Sequence, residues 1–261
     1  MRQRSLIPGM LALLLAGASS CSVKEARSRC PCQVDIDLTA FSEITRSVRV
    51  RVGDNRLERR LTTPDSLLVQ TETGQRAALP VWVWTGAEGM QAAGDTVRVP
   101  MGKDCDSVYL FWQAADARSD RLRLDAVPHK SFTTVFLSLS SGEDGPVTPR
   151  PLRGKVVSDH NGLRLPEGTP VEGRLAIPLQ GDGPFLFRLP RQRAESRLTV
   201  EISGADSQTQ AYPLGEWILE SGYDWNAPDL NDLAVGLDLS SREIQVQVIP
   251  WQAGLPILEL F

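Results

Sequence analysis

Apolar side chains recur at every second position along most of this chain, and that period limits what it can build. Val34, Ile36 and Leu38 alternate with Asp35, Asp37 and Thr39, and Val48, Val50 and Val52 alternate with Arg49 and Arg51. The habit returns at Val97 and Val99, at Val108, Leu110 and Trp112, and at Val135, Leu137 and Leu139. It continues through Val171, Gly173, Leu175 and Ile177, through Phe185, Phe187 and Leu189, and through Leu198, Val200 and Ile202. Leu233 to Leu239 and Ile244, Val246 and Val248 complete the series. Successive strand residues face opposite sides, so each run offers one face to a core and one to water, as in antiparallel sheets. Glycine and proline clusters at Gly53-Asp54-Asn55, Gly86 to Gly94 and Pro100 to Gly102 separate the runs at sandwich spacing. One short helix is predicted over Leu214 to Glu220, opened by Pro213 and stopped at Gly222. Strands do not alternate with helices, which argues against a parallel α/β sheet.

A chain of 261 residues suits two sandwiches. The strongest punctuation is Ser141-Gly142-Glu143-Asp144-Gly145-Pro146, followed by Pro149 and Pro151. The expected units are therefore an N-terminal sandwich over 33–145 and a C-terminal one over 146–261.

Residues 1–20 have the anatomy of a lipoprotein signal peptide. Arg2 and Arg4 precede an apolar stretch from Leu6 to Ala18, then Ala18-Ser19-Ser20 leads into Cys21. Cys21 is the expected lipid attachment, and residues 21–32 a polar tether between lipid and fold. Each buried acyl methylene contributes about 0.8 kcal/mol, so two or three chains would hold the protein at the membrane. No other stretch reaches the roughly eighteen apolar residues of a membrane span. Lys24-Glu25 just past that cysteine resembles the signals that send some bacterial lipoproteins to the cell surface, and a plain solvated linker would look the same.

Three further cysteines remain. Cys30 and Cys32 stand too close, with Pro31 between, to pair readily with each other. In an exported protein a bridge from Cys32 to Cys105, or from Cys30 to Cys105, is expected. Their spacing suits no zinc site, and no metal or other cofactor is expected.

Little else points to catalysis, and no enzyme is expected. The chain lacks a dinucleotide fingerprint, a P-loop, a zinc-protease helix and a nucleophile elbow. His129 and His160 are isolated and read as surface or turn residues. Asp35/Asp37 and Glu143/Asp144 read as solvated charge, and Asp104, Asp106 and Asp120 lack calcium-loop spacing. A net charge of −4 with no Lys/Arg block argues against nucleic acid. Trp82 and Trp84 alternate with Val81 and Val83, which reads as a central strand covered on both faces. The competing reading is an aromatic platform for a glycan.

The tail is apolar to its end. Ile257, Leu258, Leu260 and Phe261 either complete an edge of the second sandwich or are donated to a neighbour's sheet.

Behind the lipid cysteine, Cys30-Pro31-Cys32 runs straight into the strand Gln33 to Leu38. Far downstream come Pro190-Arg191-Gln192, Tyr212-Pro213-Leu214-Gly215-Glu216-Trp217-Ile218, Ser221-Gly222-Tyr223-Asp224-Trp225 and Asp229-Leu230-Asn231-Asp232-Leu233. In this order the segments resemble the FimB/Mfa-type anchor subunits of fimbriae in the Bacteroides group. The resemblance covers about residues 21 to 251, and its C-terminal block is the more specific part. It implies an all-β chain of two tandem transthyretin-like sandwiches with one short helix in the second. It further implies a non-catalytic protein lipid-anchored at the outer membrane, surface-exposed, with fimbrial shaft or base subunits as partners. The alternative function is a surface glycan-binding lipoprotein working with an outer-membrane transporter. On physical grounds the block from Leu214 to Trp225 is a plug for the second sandwich, through Trp217, Ile218, Tyr223 and Trp225.

Overall fold

A computed structural model describes residues 30–140, 153–165, 167–181, 183–203 and 208–251. The chain is all-β, and the sheets pair into two sandwich-like lobes. In the first, a three-stranded sheet orders β4 (Leu68–Thr73), β1 (Cys32–Asp37) and β9 (Arg121–Asp125). It packs on a five-stranded sheet of β10 (His129–Lys130), β8 (Tyr109–Asp116), β5 (Ala78–Thr85), β2 (Ser47–Val52) and β3 (Asn55–Arg60). The alternation does what it promised: Val34, Ile36, Val48, Val50, Val52, Leu79, Val81 and Val83 all point into one core. A one-turn helix, α1 (Thr39–Ser42), buries Phe41 at the end of that core.

The second lobe has a four-stranded sheet of β14 (Phe185–Pro190), β11 (Phe132–Ser140), β17 (Asp232–Asp238) and β18 (Ile244–Ile249). Facing it are β16 (Thr209–Tyr212), β15 (Thr199–Ser203), β12 (Arg153–Arg164), β7 (Thr96–Arg98) and β6 (Gln91–Ala93), with β13 (Thr169–Leu179) also paired to β12. Among the described residues most pairs are antiparallel, but each lobe holds one parallel pair, β1 with β9 and β11 with β17. The helix α2 (Leu214–Glu220) has the bounds read from sequence. It ends at Gly222, whose φ of +82° is the left-handed turn that stops a helix.

The two cores do not follow the expected division at 145/146, a point that itself lies outside the described residues. β6 and β7 join the sheet of β12, and β11 pairs with β14 and β17. Ala87, Met90, Val97, Val99, Cys105, Val108 and Leu110 accordingly belong to the second core. The chain leaves the first lobe after β5, contributes a hairpin to the second, and returns through β8. The clusters Gly86 to Gly94 and Pro100 to Gly102 mark loops within the excursion between β5 and β8, but a loop signal does not say which lobe the next strand joins.

The expected bridge to Cys105 is not formed. All three described thiols are free, with Cys32 buried in the first core, Cys105 buried in the second and Cys30 half-buried. Each buried cysteine packs as a small apolar group, and the two sit in different cores. Burial, reinforced by Asp106, pushes the Cys105 thiol well above the ordinary range.

Candidate functional site

The outer face of the five-stranded sheet is the best-built candidate. Strand register sets it. In β3, β2, β5 and β8, Arg56 stands opposite Arg51, Arg51 opposite Trp82, and Trp82 opposite Trp112. The adjacent row on the same face runs Glu58, Arg49, Trp84 and Leu110. The Arg51 guanidinium lies 4.7 Å from the centre of the Trp82 ring and its Nε donates to the Gly53 carbonyl at 2.8 Å. Stacking on an indole and one hydrogen bond hold the fork in place while leaving its remaining N–H groups available. Arg49 makes one long contact of 3.8 Å to the exposed Glu88. A cavity of about 300 Å³ lies over these rows, its lining including Arg49, Arg51, Arg56, Trp82 and Trp84 together with the carboxylates Glu58 and Asp95.

This corrects the reading of Trp82 and Trp84 as residues covered on both sides. Trp84 does pack against the second core, as does Leu110 beside it. Trp82 is half-buried, and Trp112 is 45% exposed. The second lobe covers only one end of this face, so a strand that reads as central is open along part of its length.

His160 also departs from expectation, for it is 4% exposed and not a surface or turn residue. Register shifts around Ser158, His160 and Gly162 bend β12 and turn this side chain inward. Its Nδ1 lies 2.9 Å from Asp159 Oδ1 and 3.0 Å from Ser196 Oγ, and its buried Nε2 has no hydrogen-bond partner among the described residues. A nucleophile–base–orienter relay needs the hydroxyl and the carboxylate on opposite ring nitrogens. Here both address the same one, so the trio positions a strand and not a proton relay. Burial raises the Asp159 carboxyl, but hydrogen bonds from His160 and the Arg197 amide bring it below its ordinary value.

The plug reading of the C-terminal block fits the packing. Leu214, Ile218, Tyr223 and Trp225 are buried in the second core, and Trp217 packs against it. The Tyr223 and Trp225 rings meet edge to face at 4.7 Å, and Tyr223 Oη donates to the Asn231 carbonyl at 2.8 Å. Arg191 donates to the carbonyls of Trp225, Ala227 and Pro228, and the Gln192 amide to those of His160 and Pro190. These are structural ties that bind the block to β14 and β12.

The acidic trio Asp104, Asp106 and Asp120 is not gathered. Asp104 accepts from Arg188, Asp106 from the Gly89 amide and Asp120 from Arg76. Cys21, the signal peptide and the tail residues Ile257, Leu258, Leu260 and Phe261 lie outside the described residues. The strand before that tail, β18, is an edge strand with one neighbour, β17, among the described residues. No described helix is long and apolar enough to cross a membrane.

No protein-family model matches the chain, and no curated protein sequence does. Solved structures do. A candidate polysaccharide-binding protein from Bacteroides thetaiotaomicron superposes with a TM-score of 0.62 at 9% identity, over 85% of this chain and 98% of that one. A candidate adhesin from the same organism gives 0.59 at 12% identity, over 85% and 99%. The fimbrial anchor protein Mfa2 from Porphyromonas gingivalis gives 0.56 at 13% identity, over 86% and 99%. At such identities the likeness speaks for the fold, and it spans nearly the whole of each neighbour. The chain therefore shares its all-β fold with the Mfa2 fimbrial anchor and two Bacteroides proteins, as its sequence resemblance implied.

Proposed function

We propose that this chain is a non-catalytic, lipid-anchored surface protein that holds a fimbrium at the outer membrane and joins its base subunit. The observation that carries this reading is the fold shared with Mfa2 over 86% of this chain and 99% of that one. The sequence supplies the attachment, with Cys21 behind an n-region and an apolar stretch. Acyl chains on that thiol supply the membrane affinity, and the polar tether lets both lobes stand clear of the bilayer. In sequence the tail with Ile257, Leu258, Leu260 and Phe261 follows the edge strand β18, and on this reading it either completes that edge or is donated to a fimbrial subunit.

A native pull-down from outer membranes tests the reading. Fimbrial subunits should accompany the protein, and Cys21→Ala should release it from the membrane fraction. Recovery of a glycan transporter without fimbrial subunits, or membrane retention of the alanine variant, overturns it. Deleting residues 254–261 separates the two roles of the tail. Donation predicts unchanged stability with loss of the fimbrial partner, and edge completion predicts a lower melting temperature.

The glycan-binding alternative has one specific observation in its favour: Trp82 and Trp112 lie on a face left partly open. A neighbour described as a candidate polysaccharide-binding protein shares the fold.

A further inference from the structure

We propose that the outer face of the first lobe's five-stranded sheet binds an acidic glycan, with Arg49, Arg51 and Arg56 pairing its carboxylates and Trp82, Trp84 and Trp112 supporting its rings. The inference stands apart from the anchor reading, and either can fail without the other.

The first argument is the order of side chains. Arg56, Arg51, Trp82 and Trp112 form one row across four neighbouring strands, so the row spans three inter-strand spacings of about 4.8 Å each. That is the reach of a short oligosaccharide lying across the strands. Pyranose rings present apolar C–H faces that stack on indoles and hydroxyl or carboxylate edges that take hydrogen bonds. A row that changes from guanidinium to indole along its length matches both.

The second argument is charge. The whole chain carries a net charge of −4, yet three arginines converge on this cavity with only Glu58 and Asp95 beside them. Arg51 and Arg56 have no carboxylate within 4 Å among the described residues. Guanidinium forks pair bidentately with carboxylates, so the missing counter-charge is one a uronic-acid polymer would supply. Arginine on the edge strand β3 also discourages edge-to-edge pairing. That role does not explain Arg51 on an interior strand, stacked on Trp82 and facing the cavity.

The third argument is exposure. Trp112 is 45% exposed: it pairs with Trp82 of β5, while the two-residue β10 reaches only Tyr109 and Leu110 and does not flank this ring. A ring that size contributes most when covered, and a sugar ring is a flat occupant that fits over it without moving either lobe.

The test is calorimetric titration of the full chain, solubilised in detergent, with oligogalacturonate, its methyl-esterified form and a hyaluronan oligosaccharide. Saturable binding of an acidic probe is expected, weakened by salt, with the neutral ester bound about tenfold less tightly or worse. Arg56→Gln should weaken the acid about tenfold and leave the ester unchanged, whereas Trp112→Ala should weaken both. Both side chains are exposed, so unchanged melting temperatures will show that the fold is intact. No saturable binding of either acidic probe, equal affinity for acid and ester, or indifference to both variants overturns the proposal. Pull-down of fimbrial subunits that is lost with Trp112→Ala, with no glycan bound, would make this face a protein contact instead.

Discussion

In the first lobe the buried charge is Asp35, whose partner Arg121 keeps 65% of its side chain in water. In the second it is Lys130, 2% exposed, whose partner Asp232 is enclosed almost as fully at 6%. The difference follows from where each pair sits. Asp35 belongs to β1 and is clasped from the flanking strands, by Arg121 of β9 at 2.6 Å and Gln70 of β4 at 3.3 Å. Lys130 belongs through its backbone to β10 and thus to the first lobe's sheet, while its ammonium reaches Asp232 of β17 at 2.5 Å. The Leu230 carbonyl, at 3.2 Å, and the face of Phe132, 4.8 Å away, complete its surroundings. One pair braces the middle strand of a three-stranded sheet; the other joins two lobes at their crossing. Burial draws the Lys130 ammonium below the ordinary lysine value, and Asp232 opposes that pull.

Removing Asp232 should therefore give the largest effect. In Asp232→Ala the ammonium is left buried and unpaired, and the Thr134 amide that donates to the same carboxylate at 2.6 Å is orphaned. A loss of about 3–5 kcal/mol is expected, read as a shift in the denaturant midpoint. Lys130→Met combined with Asp232→Leu should recover most of it, because an apolar pair leaves no stranded charge. A midpoint within experimental error of wild type for Asp232→Ala would break the comparison between the two pairs.

Asp35→Asn should cost less, about 1.5–3 kcal/mol, since Arg121 stays solvated when its partner is lost. The pH dependence carries the sharper signature. Burial raises the Asp35 carboxyl, but Arg121, Gln33 and Gln70 together hold it below the ordinary carboxylate value. A depressed carboxylate adds stability that is fully present above the unfolded-state pKa of about 4 and is lost as pH falls through the lower folded value. Acid titration should show wild type losing stability below that point and Asp35→Asn losing less. Identical acid profiles would remove Asp35 from the account.

The lobes also differ in how far their sequences can be read. Regular alternation made β1, β2, β11, β14 and β17 legible, because each has one wet face and one dry face. The longest described strand, β12, was not. Its register shifts break the period of two, and at Gly162 the chain of β7 comes so close that an added Cβ would stand 2.3 Å from the Val97 carbonyl. β3 was hidden for the opposite reason: every residue from Asn55 to Arg60 is exposed, so it has no apolar face to betray it. It supplies Arg56, one of the three arginines of the candidate glycan site, where the sequence drew attention only to tryptophans. Which rows meet depends on pairing register, and register is a property of two strands that neither spells out singly.

The smallest effect expected distinguishes the lobes by their thiols. If Cys32 and Cys105 sit unbridged in separate cores, Cys32→Ala and Cys105→Ala should act independently. Their combined loss should equal the sum of the single losses to within about 0.5 kcal/mol. A bridge would behave otherwise, since either substitution alone would already forfeit its roughly 2–4 kcal/mol and the second would add little. Alkylation gives an orthogonal reading. Thiolate is the reactive form, and burial that raises the Cys105 thiol suppresses both its ionisation and its access. Cys30, half-buried at the start of the described chain, should react with maleimide in the native state, whereas Cys32 and Cys105 should react only after unfolding. Resistance of Cys32 and Cys105 to alkylation after unfolding, until a reductant is added, would instead establish a covalent tie between the lobes and remove the independence on which the comparison rests.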